Sequence, residues 1–351
     1  MKDTDSYGII KRVQADEELR SAWEKLSEPA REMFREIDQK KRVPDILNDV
    51  MFMGVFDPEV RPEWLSKLIS SVIGREVKVI TSLVKEGRRR SVHSKGVIMD
   101  IPVQFLDVEA DGEEIADVEI QRKGINLPPK RSAVYSSELV TRQYSTHVGE
   151  RKSDVNYDIV HPVHMIVIME ESPSFLKNHV DCQHHFRQIS DTGIVSCADF
   201  ELLQYYHYIL LDVFRERRPH VAKLLENWMS FLSIRDVEEM MVFLSENSEF
   251  QPIYQRAVDM LADRKELLLM FQSIFENEDI AGSINRTNES IIKRLERKNE
   301  RLNQQLNQVK HEKGMELKKK DQLLNEKDQL LDEKDSMIEE LQRQLAEANS
   351  K

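Results

Sequence analysis

Cysteine is nearly absent: Cys182 and Cys197 are the only two in 351 residues, a usage that points to a reducing, cytoplasmic location. No apolar run approaches the roughly 20 residues that a membrane helix needs, and the N-terminus MKDTDSYGII has no signal-peptide layout. The expectation is a protein with no membrane partner. Phosphate-cradling glycines are missing too. Neither Gly-x-x-x-x-Gly-Lys nor Gly-x-Gly-x-x-Gly after a strand occurs, so nothing supports nucleotide hydrolysis or dinucleotide redox chemistry. Without a Gly-x-Ser-x-Gly turn, a Ser-His-Asp hydrolase lacks its usual nucleophile turn. Basic charge is short: 51 Lys and Arg stand against 63 Asp and Glu, a net charge of −12. The whole molecule therefore does not attract nucleic acid, and a DNA enzyme of this charge needs a local basic patch.

What is present supports a real core, with 40% hydrophobic residues, beside a heavily solvated part reflected in 32% charged residues. The length leaves room for two compact domains, or for one domain and an extended element. Residues 1–40 are charged with helical spacing at Leu19, Trp23, Leu26 and Phe34, which reads as an N-terminal helical extension packed loosely before the domain. Helices are expected at 46–56 and 63–73, then a strand at 77–83, a hairpin at 96–122, a helix at 131–147 and a strand at 163–169. That order is α+β, a mixed β-sheet with helices outside. From 196 to 282 the spacing of Phe200, Leu203, Tyr206, Ile209, Leu210 and Val213, and of the segments after them, reads as a helical subdomain.

The hairpin is the most informative stretch. Val97, Met99, Ile101, Val103 and Phe105 alternate with Ile98, Asp100, Pro102 and Gln104. In the second arm Ala116, Val118 and Ile120 alternate with Ile115, Asp117, Glu119 and Gln121. One face is core, and the other gathers Asp100, Glu119 and Gln121. Two carboxylates and an amide on rigid strands can hold a hard divalent cation, which can activate water against a phosphodiester. A plain solvated face gives the same alternation. Register separates the two. A two-residue turn at Asp111-Gly112 sets Asp100 opposite Lys123, roughly 13 Å from Glu119. A four-residue loop, Glu109 to Gly112, sets Asp100 opposite Gln121 and within reach of Glu119.

This stretch and its flanks resemble the PD-(D/E)XK nuclease family transposases, also called recombination-promoting nucleases. Asn48-Asp49-Val-Met-Phe52-Met-Gly-Val-Phe56 is similar to the family's Asp-x-x-Phe-x-x-x-Phe helix. Lys95-Gly-Val-Ile-Met-Asp100-Ile resembles its Lys-Gly-x-x-x-Asp strand, and Val118-Glu119-Ile-Gln121 its hydrophobic-Glu-hydrophobic-Gln strand. Lys130-Arg131-Ser-Ala-Val-Tyr135 resembles the Arg-x-x-x-Tyr helix, and Val163-His-Met-Ile-Val-Ile168 the buried strand after it. The likeness covers roughly residues 40–275 and takes in the Trp228-Met-Ser-Phe-Leu232 helix.

The resemblance implies a restriction-endonuclease-like core over 41–195, acting on DNA with Mg²⁺ or Mn²⁺ held by Asp100 and Glu119. Gln121 stands where most of the wider superfamily has a catalytic lysine. An amide can hydrogen-bond but brings no positive charge. Asp49 is the candidate for an additional acid from the first helix, and Arg131 and Tyr135 for phosphate-contacting or supporting groups. Arg88, Arg89, Arg90 and Lys95 before the Asp100 strand, with Arg122 and Lys123 after Glu119, form basic runs suited to a DNA backbone. An ordinary exposed hairpin is the blander account of them. The contrasting function is a catalytically inactive nuclease-fold scaffold that binds partners.

Two further patterns stand apart. His179, Cys182, His184, His185 and Cys197 fit no usual pair-and-pair zinc spacing, so a His-rich loop or helix edge is expected there. From 283 to 351 a seven-residue repeat runs through Lys320, Lys327 and Lys334, with Leu317, Leu324, Leu331 and Ile338 in one frame. It reads as a C-terminal coiled coil that makes a homo-oligomer through residues 285–351, or as a single charged helix held by Glu and Lys pairs.

Overall fold

The computed structural model describes residues 6–85, 99–123, 129–147, 160–187 and 203–349. Three short helices open the chain: α1 (Ile9–Ala15), α2 (Glu17–Lys25) and α3 (Glu28–Asp38). Their starts are marked by side chains that satisfy free backbone donors. Asp16 accepts from the N–H groups of Glu18 and Leu19, and Ser27 from that of Ala30. Their apolar faces do not pack loosely, as the charged sequence suggests. Ile9, Leu19, Phe34 and Ile37 are buried in the same core as the sheet, and Phe34 meets Phe271 edge-on with ring centres 4.8 Å apart. The charges occupy the outer faces and conceal a continuous inner stripe.

Helix α4 (Asp49–Val55) is capped by Asn48, whose side chain accepts from Val50 and Met51. Helix α5 (Pro62–Ile73) begins with proline in its first turn and ends at Gly74, where φ is 84°. Six strands follow: β1 (Val77–Ser82), β2 (Ile101–Asp107), β3 (Gly112–Lys123), β4 (Val163–Glu171), β5 (Gln183–Arg187) and β6 (Gln204–Leu210). They form one mixed sheet in the order β1-β2-β3-β4-β6-β5. The first three strands are antiparallel, β3, β4 and β6 run parallel, and β5 returns antiparallel along the edge. Central β4 reads VHMIVIMEE and is buried from Val163 to Met169, as a strand covered on both faces must be.

Strand β3 places Ala116, Val118 and Ile120 in the main core. Its other face looks toward helix α6 (Pro129–His147), where Ile115 packs with Met99, Tyr135 and Leu139. The face expected to be polar is thus covered. Beyond β4 come α7 (Ser174–Lys177) and then the two strands that the sequence did not disclose. Residues 204–210, expected as helix, pair with β4 along seven positions. The boundary expected at residue 195 falls between paired neighbours of a single sheet. The helices α8 (Leu211–Arg217), α9 (Lys223–Ser233), α10 (Val237–Glu246), α11 (Gln251–Ala262) and α12 (Arg264–Asn349) complete the chain. It divides into two units, Met1–Asn277 and Glu278–Lys351. The second is helical through Asn349, with Leu317, Leu324, Leu331 and Ile338 at least half exposed. Among the described residues, no helix is long and apolar enough to cross a membrane.

Candidate functional site

The turn between β2 and β3 decides what the hairpin can do. Asp107 accepts from the N–H groups of Glu109 and Ala110, and Asp111 takes the left-handed conformation at φ 52°. The loop is therefore Val108 to Asp111, and Asp107 pairs with Gly112 and Ile101 with Val118. Neither register drawn from sequence is the observed one. The pairing lies two residues from the nearer of them and brings Asp100 level with Glu119 rather than Gln121. The Asp100 N–H donates to Glu119 Oε1 at 3.2 Å, and the Ile120 N–H donates to Asp100 Oδ2 at 3.0 Å. Gln121 Nε2 lies 3.5 Å from Glu119 Oε2. The three side chains singled out in the sequence converge.

A fourth acid, Asp117, joins them from the same face of β3. It is fully buried, and among the described residues neither of its oxygens is in good hydrogen-bond geometry with a donor, although the Ile101 N–H favours its charge. Burial, then the charge of Asp100, raises the Asp117 carboxyl to about 7. Burial, then Asp117 and Asp100, pushes Glu119 up further still, and a proton on Glu119 supplies Asp117 with its missing donor. Asp100 rises to about 6, chiefly by burial. The Ile120 N–H and the charges of Arg131 and Lys85 oppose that rise, and Asp49 adds to it. Asp117 shares the alternation of Glu119, so parity along β3 was the signal that could have found it.

The fit to a cation follows from this chemistry. Several carboxylates are buried together with too few donors, so their charge must be met by protons or by a bound cation. Oxygen donors of this kind suit hard divalent ions such as Mg²⁺ or Mn²⁺. Among the described residues, no group of three or more His, Cys, Asp or Glu is placed so that it could hold a metal ion. Asp49, in the first turn of α4, accepts from Asn277 at 2.9 Å and acts on Asp100 by its charge.

The cations are divided in their placement. Arg122 is drawn inward, to Asp45 at 2.8 Å and Glu170 at 3.3 Å, and Glu170 also holds Arg235 at 3.0 Å. Its guanidinium ties β3 to its neighbours. Arg131 Nε donates to Tyr135 Oη at 2.8 Å, one turn along α6. Lys123 pairs through its backbone position with Glu171. Arg88, Arg89, Arg90 and Lys95 lie outside the described residues.

A second polar cluster sits near the start of β3, on its other face. Glu114 binds Arg75 and, at 2.7 Å, His164 Nε2. His164 Nδ1 meets His207 Nε2 at 2.9 Å, and His207 Nδ1 meets His185 Nδ1 at 2.6 Å. Burial would raise Glu114, but His164 and Arg75 overcome it and hold the carboxyl below its usual range. Of the His-rich segment, His184 and His185 thus lie on strand β5, while His179 and Cys182 precede it outside any strand. Cys182 packs against Met229 in the core, while Cys197 lies outside the described residues.

Comparison with known proteins agrees with this architecture. The sequence model of the PD-(D/E)XK nuclease family transposases matches residues 46–287, from the loop before α4 into α12. No match was found among curated proteins or among solved structures. With well over half of its length matched, and with the mixed sheet and paired acids that the family's motifs imply, the chain belongs to the PD-(D/E)XK nuclease family transposases.

Proposed function

We propose that the protein is a metal-dependent DNA endonuclease, hydrolysing phosphodiester bonds in recombination or transposition. The observation that carries this reading is the pairing of Asp100 with Glu119 across the β2–β3 ribbon, beside Gln121. Asp100 and Glu119 would hold Mg²⁺, with Mn²⁺ as the substitute. When bound, the ion lowers the pKa of water and neutralises charge on phosphate oxygens. The backbone N–H groups of Ile120 and Asp100 fix one oxygen of each carboxylate, so the acids do not reorganise as substrate enters. Gln121, tethered near Glu119, is suited to orient the attacking water by hydrogen bonding. Asp49 adds a further acid at the N-terminus of α4. A plasmid-nicking assay with Mg²⁺ tests the assignment: wild type should cut, while Asp100→Ala and Glu119→Ala should not. Equal cleavage by all three refutes it.

A second reading, of a silent scaffold that assembles through its tail, is favoured by one observation. Leu317, Leu324, Leu331 and Ile338 recur every seven residues and are largely exposed in the single chain, a seam that a second copy could cover. Self-association through 285–351 is compatible with either function. The scaffold alone predicts no calorimetric Mg²⁺ or Mn²⁺ binding that depends on Asp100.

A further inference from the structure

Resting on the nuclease reading above, one deficit in the site calls for an answer. Phosphodiester hydrolysis gathers negative charge on the phosphate as water attacks, and position 121 meets it with a neutral amide. A positive charge held near the carboxylates by other means would be worth more than that amide.

Four cations come near, and one of them, Arg142, acts on Asp117 by its charge while paired with Glu138 at 3.3 Å. Arg122 is committed to Asp45 and Glu170. Lys85 is exposed, and the contact seen for its Nζ is the Met53 sulfur at 3.1 Å, a weak acceptor that orients a cation poorly. Arg131 is different. It stands in the first turn of α6, the helix whose Tyr135 and Leu139 pack with Met99 and with Ile115 of β3. Its guanidinium lies over the Tyr135 ring, 5.0 Å from the centre, and donates through two nitrogens to the Tyr135 hydroxyl. Tyr135 is itself buried against Met99, the residue before Asp100. The ring and hydroxyl therefore fix the guanidinium on a side chain that packs with the residue preceding Asp100. Two electrostatic effects agree with that placement: Arg131 lowers the Asp100 carboxyl, and the Tyr135 hydroxyl feels both Glu119 and Asp100.

We propose that Arg131 is the catalytic cation of this site, supplying from α6 the positive charge that residue 121 lacks, with Tyr135 as its positioning residue. In the step it serves, a water oxygen bonds to phosphorus as the bond from phosphorus to the leaving sugar oxygen breaks. The attacking water gives up one proton and the leaving oxygen takes one up, so the products are a phosphomonoester and an alcohol. Arg131 exchanges no proton, because guanidinium stays charged throughout. It meets the charge on the non-bridging oxygens at its maximum.

The test is single-turnover nicking of supercoiled plasmid by the full chain with Mg²⁺, paired with DNA affinity measured by fluorescence anisotropy in Ca²⁺. Arg131→Gln should slow cleavage about 10²–10³-fold while leaving the Kd for DNA within about threefold. Adding Gln121→Lys to Arg131→Gln should restore at least about a tenth of the wild-type rate, since the charge returns from the neighbouring strand. Tyr135→Phe keeps the ring packing and removes the hydroxyl, and should slow cleavage about tenfold at unchanged Kd. The proposal is overturned if Arg131→Gln cuts at the wild-type rate, if its loss lies wholly in Kd, or if Gln121→Lys restores nothing. Melting curves identify an unfolded variant, and Tyr135→Phe at the wild-type rate then overturns the proposal by itself. If wild type and Asp100→Ala behave alike, the nuclease reading fails and takes this proposal with it. If only Asp100→Ala is dead and Arg131→Gln is not, this proposal fails alone.

Discussion

Strand β3 carries two buried acid clusters, on opposite faces and only a few residues apart, and they are built on opposite principles. Glu114 is buried with its partners: Arg75 and His164 surround it, and the histidine chain passes the polarity on to the edge strand β5. Asp117 and Glu119, three and five residues further on, are buried with each other and with Asp100. The first arrangement lowers its carboxyl, and the second raises all of its members. Burial is common to both, so burial does not mark the site. The missing counter-charge does, and a chain keeps such a cost where something else will supply the charge.

The largest effect that could break this contrast is on cleavage. Asp100→Ala or Glu119→Ala should reduce nicking by on the order of 10³-fold or more without lowering the melting temperature at pH 8. A parallel loss of stability would make the cluster structural. At the other end, Glu114→Ala strands Arg75 and His164 and should cost about 3 kcal/mol in denaturant unfolding, with nicking per folded molecule unchanged. An unchanged unfolding midpoint would show that the compensated cluster contributes nothing.

Next in size is Asp117→Asn, which removes a buried charge and should raise metal-free stability at pH 8 by roughly 1–3 kcal/mol. The pH dependence sharpens the same point. Asp100 and Asp117 are raised in the folded state, to about 6 and about 7. Their contribution is full below the ordinary carboxylate range near about 4 and is lost as pH rises through those values. Glu114, held low, contributes above that range and loses its contribution as pH falls. Metal-free melting should therefore decline from pH 5 to pH 8 in wild type and decline less in Asp117→Asn. Identical slopes would count against the raised acids. The smallest effect on either cluster should come from ending the chain at Asn277. Light scattering should then report a smaller oligomer, while melting of the first unit persists; an unchanged mass sinks the self-association reading.

How far the sequence disclosed these features depended on where local pattern and tertiary context agree. Helix α5 has proline at its start and glycine at its end, and β4 is continuously apolar from Met165 to Met169, so both were legible within two residues. Strand β6 was not. Tyr206, Ile209, Leu210 and Val213 fall at spacings of three and four by coincidence, because β6 runs into α8 at Leu210 without a turn. Strand β5 lies at the sheet edge and reads QHHFR, with no core alternation to reveal it. That Asp100, Glu119 and Gln121 share a face was legible from side-chain parity, which both candidate registers share; their approach was not, since only one of those registers brings Asp100 within reach of Glu119. The register itself was not, since it depends on Asp107 closing the turn, a local hydrogen bond that competes with the pairing that sequence alone favours. Asp117 went unnoticed because one carboxylate on an alternating strand looks like solvent exposure until a helix is laid over it.

The clasp formed by the first helices has a consequence for how the molecule is made. Arg12 donates to the Leu261 carbonyl across a separation of 249 residues, and Arg264 returns to Asp16 and Glu18. The opening helices thus meet these particular partners only once Leu261 and Arg264 have been synthesised. At about 5–20 residues per second that interval is roughly ten to fifty seconds. Through it, the apolar side of the opening helices must be shielded by provisional contacts or by a chaperone.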